Sequence, residues 1–197
     1  MRDTDAAYKR AVDQADIVHA DGAFIVALSR FRKGPTIPER SATTDLIHDA
    51  ASQAERLGLS FMLIGGPPGL AERTKSRLSQ LYPKLRIVGC EDGYFRRHQE
   101  EAVIERINSL RPDIIWVGLG KPREQQFCIR NKDRLNAGWL VTCGGCFHYI
   151  TGDYSRAPLW MQRSGLEWLY RMATGPRSLW MRYITTNPRA LYLAIVK

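Results

Sequence analysis

With 197 residues the chain is long enough for one well-buried domain, or for one domain and an appendage. Its 44% hydrophobic and 25% charged residues exclude a disordered chain, and no apolar run approaches the ~20 residues of a membrane-spanning helix. The net charge of +9 is unusual and calls for an anionic partner: a lipid surface, a phosphorylated substrate or nucleic acid.

The opening segment, MRDTDAAYKRAVDQAD, is polar and amphipathic and carries no secretory signal, so a cytosolic or peripheral protein is expected. In that setting Cys90, Cys128, Cys143 and Cys146 read as reduced thiols. Patterning predicts a helix over 4–14, a strand at Ile17–Ala20 and a helix over 22–32. Helix 44–57 follows, with Thr43 as N-cap and Gly58 as its stop. Then come strand Ser60–Ile64, helix 69–81 ending at Tyr82-Pro83, and strand Leu85–Val88. Helix 97–110, strand Asp113–Val117, helix 122–135 and strand Gly138–Thr142 complete the series. Such alternation predicts an α/β fold: a parallel, Rossmann-like sheet flanked by helices. Past Gly152 the strand pattern stops, and helices are expected over 162–173, 177–186 and 188–196, the last opened by Asn187 and Pro188. Leu166, Leu169, Tyr170 and Ala173 recur at helical spacing, suited to packing on the main domain or to a membrane. The expected division is a core over 1–152 and a helical basic appendage over 153–197.

Open α/β sheets bind ligands beyond the carboxyl ends of their strands. Asp21-Gly22 follows the first predicted strand, where a carboxylate either faces a cleft or caps the next helix. Gly65-Gly66-Pro67-Pro68-Gly69 is a βα turn that can offer backbone N–H groups to a phosphate, but no Gly-Lys-Ser/Thr follows to make it a P-loop. Gly118-Leu119-Gly120-Lys121-Pro122-Arg123 opens a helix with two cations beside it, which favours an anion there. Cys143-Gly144-Gly145-Cys146 suggests redox chemistry or a metal, against two small buried thiols beside glycines that a ligand approaches. The histidines show no ligand spacing, Asp3-Thr4-Asp5 precedes any strand, and no metal site is expected.

The tail is the densest stretch. From Arg156 to Lys197, six arginines and one lysine face a single acid, Glu167, so these 42 residues carry +6 of the +9. Trp160, Trp168 and Trp180 are interleaved with them; guanidinium suits phosphate and indole suits a membrane interface. The order RAP–W–Q–GLEWLYR–P–R–W–R–Y over 156–183 resembles the C-terminal signature of the WecG/TagA/CpsF glycosyltransferases. Earlier runs match in order: ADG at 20–22, PER at 38–40 with Thr44-Asp45-Leu46, and GGPPG at 65–69. YP with IVG at 82–89, GYF at 93–95, DIIWVGLGKP at 113–122 and GG–F at 144–147 follow.

The resemblance spans nearly the whole chain. It implies an inverting, metal-independent enzyme with no cofactor that moves a sugar from a UDP-sugar donor to a polyprenyl-diphosphate-linked acceptor. The work would serve bacterial surface polysaccharide synthesis at the anionic inner face of the cell membrane. It implies Asp21 as general base, and Thr44, Asp45, Gly65, Gly66, Gly118, Gly120, Lys121, Arg123, Glu124, Gln125, Gly144 and Gly145 as substrate-binding residues. Arg171, Arg177 and Arg182 would clamp the donor diphosphate. ManNAc, ManNAc-uronate, glucose and glucuronate donors all fit, and a homo-oligomer is compatible. The chain departs from the family in places. Glu124-Gln125 replaces Gln-Glu, His148 replaces the acid usual after GG–F, Thr43 replaces a glycine, and Ser178 and Met181 replace common arginines. The family's first strand–helix unit has no counterpart, so a cleft short of that unit's polar residues is expected.

Two other readings compete. A basic nucleic-acid-binding α/β protein would use the charge and aromatics, but the basic residues cluster in one amphipathic tail without a recognisable binding motif, so no nucleic-acid partner is expected. An oxidoreductase would use Gly-x-Gly and Cys-x-x-Cys, but no acidic ribose-binding residue stands at the right place.

Overall fold

A computed structural model describes residues 6–30, 35–164 and 166–174. In chain order the elements are α1 (Ala6–Asp13), α2 (Ala23–Ser29), α3 (Thr43–Leu57), β1 (Ser60–Gly65), α4 (Leu70–Leu81) and β2 (Arg86–Glu91). After a single 3-10 turn come α5 (Glu100–Leu110), β3 (Ile114–Gly118), α6 (Arg123–Asn131) and β4 (Trp139–Thr142). The last are α7 (Cys146–Ile150), α8 (Leu159–Arg163) and α9 (Glu167–Thr174). They fall into two compact units, one drawn from Met1–Val18 and Thr43–Tyr154, the other from His19–Ala42 and Ser155–Lys197.

The first unit contains the sheet, ordered β2-β1-β3-β4 with every neighbouring pair parallel. Residues along β1 and β3 alternate between its faces, as the pleat requires. Phe61, Leu63, Ile114 and Trp116 pack with Ile47, Ala51 and Ala54 of α3, Leu70 and Leu78 of α4, and Phe147 of α7. Met62, Ile64, Ile115 and Val117 pack with Val103, Ile104 and Ile107 of α5 and Phe127 of α6. A sheet covered on both faces needs apolar strands throughout, and β1 and β3 are buried along their whole length. The predicted α/β class is therefore the observed one.

The helices follow local rules. α3 buries Thr44, Ile47, Ala51 and Ala54 at helical spacing and stops at Gly58, whose φ of +69° only glycine adopts freely. α4 ends where the Tyr82 N–H bonds Leu78 O at 2.7 Å and Pro83 prevents a further turn. Several sequence expectations need correction. Ile17–Ala20 is not a strand: Ile17 and Val18 are exposed, and Ala20 O accepts one isolated bond, from Ser41 N–H at 2.9 Å. An apolar tetrapeptide without a pairing edge cannot form a ladder. Thr43 is the first residue of α3 and not its cap. Helix 122–135 ends at Asn131, whose side chain turns back onto Phe127 O and Glu100. Helix 162–173 is two helices; the Ser164 hydroxyl bonds back to Trp160 O and terminates α8. α7 was hidden by its glycine-rich approach. The predicted helices over 177–186 and 188–196 lie outside the described residues, as does Asp3-Thr4-Asp5.

The second unit brings together motifs far apart in sequence. Arg40 of PER pairs with Glu167 of GLEWLYR at 2.8 Å, with Glu167 buried. Leu159, Trp160, Trp168 and Leu169 on α8 and α9 are nevertheless exposed, Leu159 by 68% and Trp160 by 64%.

Candidate active site

β1 has β2 on one side and β3 on the other, so the connections leaving β1 and β2 run to opposite edges of β1. This is a topological switch point, where α/β sheets open a crevice at their carboxyl ends. Here the crevice is lined by backbone. The final pair of the β1–β3 ladder is Gly65 against Gly118. Gly65 has φ +142°, and a Cβ on it would lie 2.2 Å from Gly118 O. Gly66 N–H bonds Gly118 O at 3.1 Å, and Gly93 N–H bonds Gly66 O at 2.8 Å. A Cβ on Gly93 would lie 2.8 Å from Gly66 N. The loops after β1, β2 and β3 meet main chain to main chain, which side chains would prevent.

Above them lies a cavity of about 260 Å³, near the lower end for small-molecule sites. Gly66, Gly118, Gly120, Gly144 and Gly145 line it, with Tyr94, Phe147, His148 and Tyr154 as its aromatic side chains. Tyr94 is 70% exposed and Tyr154 44%, so both offer ring surface to a ligand. Five of the glycines and strand-end positions expected to bind substrate are thus brought together.

The neighbouring residues have other work. Glu124 is 1% exposed, and its Oε2 accepts Gly120 N–H at 3.1 Å and Gly144 N–H at 3.0 Å, joining two loops that line the cavity. Gln125 donates to its other oxygen at 3.1 Å. Burial raises the Glu124 carboxyl above its ordinary range, against the pull of Lys121 and these bonds. Arg123 donates to Gly93 O at 2.7 Å and to Phe95 O, with its guanidinium 4.9 Å from the Phe95 ring centroid. It therefore braces the loop after β2. Lys121 is exposed. Thr44 is buried in the first turn of α3, its hydroxyl without a hydrogen-bond partner among the described residues; Asp45 beside it is exposed.

Asp21 lies in the second unit, exposed, just before α2. The first helical bond there runs from Val26 N–H to Gly22 O, and among the described residues the Asp21 carboxylate makes no bond. The cap reading gains no support from that geometry. Arg171 belongs to α9, whereas Arg177 and Arg182 lie outside the described residues.

Sequence reasoning missed one cluster. His148 bonds Asp153 at 3.1 Å, and Arg73 takes both oxygens of that carboxylate at 2.9 Å. Its spacing matched no ligand motif, and Arg73 is 75 residues away from it. Cys143 and Cys146 are buried free thiols, and burial drives Cys143 well above its ordinary value. Cys90 and Cys128 are pushed up to about 12. Cys90, Cys128 and Cys143 therefore resist forming the thiolate that redox exchange requires. Among the described residues, no three His, Cys, Asp or Glu side chains are placed to hold a metal. No described helix is long and apolar enough to cross a membrane. Compared with known protein families, residues 1–197 match the model described as the glycosyl transferase WecG/TagA/CpsF family.

Proposed function

The chain belongs to the WecG/TagA/CpsF glycosyltransferase family, and from that premise we propose that it transfers a sugar, with inversion and without a metal, from a UDP-sugar to a polyprenyl-diphosphate-linked acceptor. The product serves bacterial surface polysaccharide synthesis at the inner face of the cell membrane. The observation that carries this reading is the crevice at the β1–β3 switch point: a glycine-lined floor with tyrosines beside it suits a nucleotide sugar.

Asp21 is the proposed base. Inverting transfer needs one group to take the acceptor hydroxyl proton as that oxygen attacks C1 from the face opposite UDP. Among the described residues the exposed carboxylate makes no bond, and this and its place in the ADG run support that role. The departing diphosphate gathers negative charge, which Arg171, Arg177 and Arg182 would offset in the absence of a metal. Glu124, Gln125 and Arg123 serve indirectly, by fixing the loops that the substrate meets. The exposed Leu159, Trp160, Trp168 and Leu169 support contact with the lipid surface that carries the acceptor.

The test is a transfer assay. Donors are UDP-ManNAc, UDP-ManNAc-uronate, UDP-glucose and UDP-glucuronate, offered with a short-chain prenyl-diphosphate-linked sugar in EDTA. One donor should yield a product of inverted anomeric configuration. Transfer with retention, transfer that requires added Mg²⁺ or Mn²⁺, or none with any donor would overturn the reading.

A further inference from the structure

His148 is held more tightly than packing requires. It follows the Gly144–Gly145 floor and lines the cavity. Its Nδ1 is 3.1 Å from Asp153 Oδ2, and Arg73 from α4 grips the same carboxylate through two bonds of 2.9 Å. Tyr154 stacks on the imidazole with centroids 4.6 Å apart and planes 22° apart. Tyr149 meets Tyr154 edge-on at 5.5 Å. The ring is thus fixed both in its plane and about its axis.

This arrangement selects a tautomer. Arg73 and His148 hold the Asp153 carboxyl well below the usual carboxylate range. An ionised carboxylate only accepts, so Nδ1 carries the proton and, in the neutral ring, Nε2 keeps its lone pair. No described residue bonds Nε2. The other side chains lining the cavity are those of Pro67, Leu70, Leu119, Phe147 and two tyrosines, which leaves Nε2 as the one acceptor nitrogen there. A phosphate oxygen, itself an acceptor, finds no donor at that atom. A sugar hydroxyl can donate to it.

We propose that His148 is a specificity residue that accepts a hydrogen bond from a hydroxyl of the donor's sugar through Nε2, with the Arg73–Asp153 pair as its positioning element. This rests on the UDP-sugar reading and deepens it: the residue distinguishes the sugar, not the nucleotide. A donor lacking that hydroxyl leaves the half-buried imidazole acceptor without its sugar partner and binds more weakly.

The experiment is calorimetric titration of the full chain at pH 8 with UDP and with the UDP-sugars offered in the transfer assay, for wild type, His148→Phe and Asp153→Asn. UDP should bind wild type and His148→Phe alike. The accepted UDP-sugar should bind His148→Phe roughly tenfold more weakly than wild type, with a smaller loss in Asp153→Asn. Long-range ¹H–¹⁵N spectra of the wild type, which need no substitution, should show the Nδ1–H tautomer. The Nε2 resonance should move on adding the UDP-sugar and stay still on adding UDP. Equal losses for UDP and UDP-sugar, no loss for either, or an Nε2 signal indifferent to the sugar would overturn the proposal alone. Failure of the wild type to bind UDP or any UDP-sugar would overturn the UDP-sugar reading together with it.

Discussion

The two ends of the same parallel sheet are finished in opposite ways. At the amino end, side chains close the structure. Asp113 Oδ2 accepts both the N–H and the hydroxyl of Ser60 at 2.7 Å, and Asp113 O accepts Gly138 N–H at 3.0 Å, so β1, β3 and β4 are tied together where they begin. At the carboxyl end, side chains are missing. Gly65, Gly66, Gly93 and Gly118 let backbone meet backbone, and a cavity remains above them. Polar groups at the first end are satisfied by the protein. At the second, space and hydrogen-bonding capacity are left for a ligand. Substitutions at the amino end should therefore change stability without changing binding, whereas those at the carboxyl end should change binding.

The largest effect is expected from Asp21, in the second unit. If the crevice binds while another group moves the proton, Asp21→Asn should keep the fold and UDP affinity while lowering turnover by about 10²–10⁴-fold. Steady-state kinetics alongside UDP titration would check it, and near-normal turnover would remove Asp21 from the mechanism. Next is Gly65→Ala, which places a Cβ 2.2 Å from Gly118 O in a backbone conformation foreign to alanine. Strain and overpacking should cost roughly 2–5 kcal/mol and abolish UDP binding. Urea unfolding at wild-type stability would contradict the close backbone approach.

Asp113→Ala probes the closed end. It strands the buried Ser60 N–H and hydroxyl, for a loss of about 1–3 kcal/mol at pH 7. The Ser60 bonds hold the Asp113 carboxyl below its ordinary value, so its contribution is complete above about pH 4 and fades as pH falls through the lowered value. Denaturation curves of the two proteins should accordingly converge in acid; a constant gap down to pH 2 would show that the carboxylate's charge is not involved. UDP affinity at pH 7 should be unchanged, and a large loss there would break the contrast between the ends.

The smallest effects belong to the exposed apolar residues of the second unit. Leu159→Ser and Trp160→Ser should each weaken binding to anionic liposomes by about 1 kcal/mol, roughly fivefold, without changing transfer to a water-soluble acceptor. Liposome sedimentation would measure this. Unchanged partition of the double variant would refute membrane contact at this face.

The sequence by itself determined what is local. Short apolar runs marked the four strands between residues 60 and 142, helical spacing marked α3 through α6, and Gly58 and Pro83 ended helices through backbone chemistry alone. Glycines at strand ends could likewise be read as candidate ligand positions, since few other roles call for them there. What depends on partners distant in sequence was decided by the tertiary structure. The order β2-β1-β3-β4 placed Gly65 against Gly118 and so made two unremarkable turns into one crevice. The run at 17–20 stayed single because no described strand pairs with it. Arg40 found Glu167, and His148 found Asp153 and Arg73, across gaps that no short-range pattern spans. Arg123 and Glu124, expected to bind substrate, bond carbonyls and amides of neighbouring loops. A charged side chain near buried backbone is held by whichever polar groups the fold leaves within reach, and that is fixed only when the strands are in place.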